Sequence, residues 1–85
     1  MNVVDLKIKY RSSVVDWCIR NEYDLGEHII SAIVSVLLTR DSVLIGGDFA
    51  KSICANDLFA TVRYADAEVI KSLKYIVLAY YNVKF

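Results

Sequence analysis

The chain contains no proline and only three glycines, at positions 26, 46 and 47. Gly and Pro are the residues that most reliably end regular structure, and the stretches left between them are several times longer than an ordinary strand. Long helices are the expected product. The first segment tests this, because Leu6, Ile8 and Tyr10 alternate as a strand would. Continued at about 100° per residue, Asp5, Lys9, Ser12, Ser13, Asp16 and Arg20 instead collect on one polar arc. Asp5 with Lys9 and Asp16 with Arg20 are acid-before-base pairs at helical spacing. A first helix over residues 3–22 follows.

Its apolar arc is wide. Leu6, Tyr10, Val14 and Trp17 lie on one side and Val4, Ile8, Val15 and Ile19 on the other, too broad a stripe for one neighbouring helix to cover. This helix is therefore either sandwiched or an interface. A second helix starts after Asp24, which stands three residues before Glu27 in the manner of a capping box, and ends between Thr39 and Asp41. Its polar stripe, Glu27, Ser31, Ser35 and Thr39, is one residue wide, and isoleucine, valine and leucine fill the rest. Such a helix belongs at the centre of a core.

Asp48 and Asp66 are read as caps of a third and a fourth helix. Residues 49–81 form either one rod or two helices, depending on whether Asn56 and Asp57 break it, and two is the favoured reading. In the last helix Val69, Leu73, Ile76, Val77 and Tyr80 share a face, which leaves Tyr75 and Leu78 on the polar side. The expected fold is a single all-α domain over residues 1–85, a small bundle of three to five helices with the second at its centre.

Composition narrows the function. Ten Lys and Arg balance ten Asp and Glu, so the general attraction to phosphate that marks nucleic-acid and acidic-membrane binders is missing. The longest apolar run, Ile29–Leu38, is about half the length a bilayer requires. The N-terminus mixes acid and base without an apolar core, unlike a secretory signal. A cytoplasmic location and reduced Cys18 and Cys54 are expected.

Motifs for chemistry are weak. Gly46 and Gly47 before Asp48 resemble a phosphate-gripping loop, but no strand precedes them and the aspartate competes for the same N–H groups, so a turn is expected. His28 is the only histidine and lacks companion ligands, so neither a metal nor another cofactor is expected. No orienting motif surrounds either thiol, and the chain is read as non-enzymatic.

What remains is apolar excess. Hydrophobic residues are 56% of the chain against roughly 45–50% in ordinary soluble domains. Tyr75, Leu78, Tyr81 and Phe85 near the C-terminus, and Ile8 and Val15 on the second apolar side of the first helix, exceed what one small core hides. Lys7 and Arg11 lie inside that arc, their stems able to pack while their charges reach a partner. The expectation is a small regulatory protein that docks on another protein or on itself as a homodimer. Inhibitors, immunity factors and accessory regulators of viruses and mobile elements share this size, which is analogy alone. The alternative is a helix-turn-helix-like nucleic-acid regulator, with Ser52, Asn56 and Arg63 on an outer arc and Lys51 beside them.

Overall fold

The computed structural model describes residues 2–85, and its first helix, α1 (Val3–Arg20), starts where the Asn2 side chain accepts a hydrogen bond from the Asp5 N–H at 2.9 Å. α2 (Glu27–Arg40) follows, then α3 (Asp48–Cys54), α4 (Leu58–Tyr64), α5 (Ala67–Lys71) and α6 (Leu73–Asn82). No strand occurs among the described residues. The all-α reading is correct. The division of residues 49–81 is finer than expected, four helices rather than two, although α5 and α6 abut through Ser72 alone.

Two of the expected caps are displaced. Gly26, not Asp24, is the N-cap of α2, and Asp24 lies two residues before that cap. Gly47, not Asp48, caps α3, and Asp48 is its first helical residue, where a negative charge still favours the helix dipole. Asp57, expected only as a possible break, is an N-cap, and Asp66 caps as expected. They accept from the N–H of Ala60 at 3.0 Å and of Val69 at 2.8 Å, which fixes the starts of α4 and α5.

The ends of α1, α2 and α3 share one device. Glu22, Ser42 and Asn56 adopt left-handed backbone with φ of 58°, 58° and 56°. In each case the next residue donates its N–H five residues back: Tyr23 to the Cys18 carbonyl, Val43 to Leu38 and Asp57 to Ser52. The left-handed residue donates three back, so all three ends are Schellman motifs. Glycine usually takes that position, yet no glycine here has positive φ. The first helix consequently stops at Arg20, before the expected residue 22.

α2 is the central element and packs against α1, α3, α5 and α6. Ile29, Ile33, Val36 and Leu37 are buried on it, and they meet Tyr10, Val14 and Trp17 from α1 and Val69, Ile76 and Ala79 from α5 and α6. Burying side chains of this size contributes about 1.5–3 kcal/mol each. Its polar stripe has a second use. Thr39 Oγ1 donates to the Ser35 carbonyl at 2.8 Å and accepts the Gly46 N–H at 2.9 Å, tying the loop after α2 to the helix. Val43 and Leu44 in that loop pack on the core, whereas Ile45 is exposed.

The molecule measures 33 × 29 × 19 Å. The shortest dimension has room for about two helix layers. In such a slab each helix has one side against the other layer and one toward water, so an apolar arc wider than one neighbour is left uncovered.

Candidate interaction surfaces

α1 shows this directly. Its first apolar side is buried at Tyr10, Val14 and Trp17, while Val4, Ile8 and Ile19 on the second are exposed and Val15 is half-buried. Lys7 and Arg11 border that stripe on the side toward α2. The Arg11 guanidinium grips Glu27 with two hydrogen bonds, 3.0 Å from Nε and 2.6 Å from the terminal nitrogen. This pairing holds the Glu27 carboxyl below its usual range and raises Arg11 further. Lys7 has no ion-pair partner among the described residues. The Asp5 and Lys9 pair and the Asp16 and Arg20 pair do not close to ion-pair distance.

Between α1, α2 and the loop lies a groove of about 370 Å³. Val34, Leu38, Leu44 and Ile45 form its apolar wall, and Lys7, Arg11, Ser31 and Ser35 its polar side, with no acidic residue in the lining.

The C-terminal candidates separate. Tyr75 and Leu78 were expected on the polar side of the last helix, but both are half-buried. Tyr75 packs at 4.9 Å on Tyr23, which in turn meets Trp17 edge-on at 5.1 Å, and Leu78 packs on the core. The inward face of α6 is centred on Ile76 and Ala79, and Val77 is turned outward. Phe85 is half exposed and stacks on Tyr10 at 3.9 Å, and the Tyr10 hydroxyl donates to Asp41 at 2.8 Å. Tyr81 is 67% exposed.

Beside Tyr81 is a surface that the sequence reading missed. Leu58, Phe59 and Val62 share the outer arc of α4, and Phe59 is 86% exposed. A groove of about 200 Å³ joins Leu58 to Val77, Tyr80 and Tyr81 of α6. Asp57 followed by apolar residues at positions 58, 59 and 62 is a cap-plus-face signature, but with residues 49–81 drawn as two helices that face has no separate identity.

The remaining candidates have plain structural roles. A Cβ on Gly46 would fall 2.7 Å from Thr39 Oγ1 and 2.8 Å from both Ser35 Oγ and the Ala50 Cβ, so this glycine allows the loop to lie close on α2 and α3. Its N–H is already bonded to Thr39. His28 Nε2 pairs with Asp66 at 2.7 Å on the surface, which raises His28 and, together with the Val69 N–H, lowers Asp66. No group of His, Cys, Asp or Glu among the described residues is arranged to hold a metal. Cys18 and Cys54 are unpaired, and burial pushes both thiols up, the direction opposite to nucleophile activation. Ser52 is buried, its hydroxyl donating to the Phe49 carbonyl at 2.7 Å. Asn56 forms the turn and Arg63 lies on α4, so these three do not make one outer arc of α3. No helix among the described residues is long and apolar enough to cross a membrane. No family model, curated protein or solved structure matches the chain.

Proposed function

We propose that this chain is a non-catalytic binding protein of the regulatory type, acting by docking the apolar surface of α4 and α6 onto another protein or onto a second copy of itself. One observation carries the reading: Leu58, Phe59 and Val62 are exposed on α4, and Leu58 lines a groove with Val77 and Tyr81 of α6. Contiguous exposed apolar surface is rare on a soluble domain without an interaction to hide it. Aromatic side chains at a concave site are also the favoured anchors of protein interfaces. The exposed stripe of Val4, Ile8 and Ile19 on α1 is a second face of the same kind.

Sedimentation velocity over a range of concentrations tests the second copy as partner. The expected result is a mass rising above the 9.6 kDa monomer for the native sequence and staying there for a Phe59→Ser, Tyr81→Ser double variant of unchanged helicity. A native chain that remains at monomer mass throughout excludes self-docking.

A further inference from the structure

We infer that the groove between α1, α2 and the loop around Leu44 is a binding site for a small amphipathic monocarboxylate, a molecule with one anionic head and one aliphatic or aryl tail. Its volume of about 370 Å³ lies in the range of about 300–1,000 Å³ that small-molecule sites occupy, toward the end suited to a single short tail. The two sides of the groove are chemically distinct. Val34, Leu38 and Leu44 offer an apolar wall to a tail, while Lys7, Arg11 and the two serines Ser31 and Ser35 stand at the polar side.

The charges specify the head. Arg11 is already neutralised by Glu27, and Lys7 has no carboxylate partner among the described residues. One uncompensated positive charge therefore remains in a lining without any acid, which complements a single negative charge and repels a cation. Neither serine hydroxyl is engaged in a side-chain hydrogen bond among the described residues, so both are free to donate to a carboxylate. Gly46 sets the size of the cleft, because only a residue without Cβ lets the loop lie against Ser35 and Thr39 and form the far wall. The site is separate from the α4 and α6 surface and does not depend on that surface docking anything.

The test is a methyl-resolved NMR titration of the full chain with sodium decanoate, kept below its micelle-forming concentration, with decanol and decylamine as matched neutral and cationic probes. The expected result is saturable shifts at the methyls of Val34, Leu38 and Leu44, with decanoate bound at least about tenfold more tightly than either control. Lys7→Gln should weaken decanoate about tenfold, equivalent to ~1.4 kcal/mol, and leave decanol binding unchanged. Equal affinity for the three probes, an unaltered Lys7→Gln variant, or shifts confined to α4 and α6 would each overturn the assignment.

Discussion

Replacing Gly46 and Gly47 separately by alanine asks whether the paired glycines serve packing or chain flexibility. In the unfolded chain both substitutions remove the same freedom, which favours folding by about 0.4–1 kcal/mol each. In the folded chain they differ. A Cβ on Gly47 meets nothing within 4 Å, and the loss of a glycine N-cap costs roughly as much as the unfolded chain gives back, so Gly47→Ala should lie within about 0.5 kcal/mol of the parent. A Cβ on Gly46 meets three atoms at 2.7–2.8 Å. The hydroxyls of Thr39 and Ser35 can rotate away, at the expense of the Gly46 N–H bond to Thr39, but the Ala50 Cβ is fixed to the backbone of α3, so the helix itself must move. Overpacking of this kind costs about 1–3 kcal/mol, leaving a net destabilisation of about 1–2 kcal/mol. Urea unfolding reads it as a midpoint lowered by roughly 1 M or more at unchanged slope. Adding Ala50→Gly to the Gly46→Ala chain should recover about 1 kcal/mol as coupling in a double-mutant cycle. If Gly46→Ala is as mild as Gly47→Ala, or the cycle shows no coupling, the close approach is not the reason for the glycine.

Two further outcomes follow from particular contacts. His28 is raised by Asp66, so its contribution to stability is complete below the unfolded value of about 6.5 and is lost as pH rises through the higher folded value; Asp66 is lowered, and its share is lost as pH falls through a value below the ordinary carboxylate. An NMR titration should place the His28 midpoint above 6.5 and see it fall back in Asp66→Asn, whereas an unmoved midpoint contradicts the pair. Ser42→Gly removes the cost of left-handed backbone at φ 58° and should stabilise the chain by up to about 1 kcal/mol in urea unfolding; a destabilised variant would mean that the serine side chain matters at that turn.

The helical class was legible because polar residues from Asp5 to Arg20 and the stripe from Glu27 to Thr39 repeat at a period no strand can use. The same narrow stripe identified α2 as central, and its contacts agree. Boundaries were harder for a definite reason. The left-handed positions that end α1, α2 and α3 are held by Glu22, Ser42 and Asn56, while the three glycines serve as N-caps and as a close-packing point, so the usual glycine signal at a helix end is absent. The face of α6 was harder to place because Val77 and Ala79 flank Ile76 with similar apolar character; burial falls on Ala79, which leaves Val77 outward, brings Tyr75 onto Tyr23 and packs Leu78 on the core. On α1 the apolar arc, broader than one neighbour, leaves Ile8 and Ile19 uncovered in a two-layer slab, while Val15 is half-buried.

Photo-crosslinking in the cells that naturally make the chain tests the proposed docking of the α4 and α6 surface. A benzophenone amino acid replaces Phe59 in one version and the exposed Lys9 of α1 in another. A discrete protein adduct is expected from position 59, lost when Tyr81→Ser is added, with none of that mass from position 9. No adduct from position 59, or the same adducts from both positions, would contradict the docking.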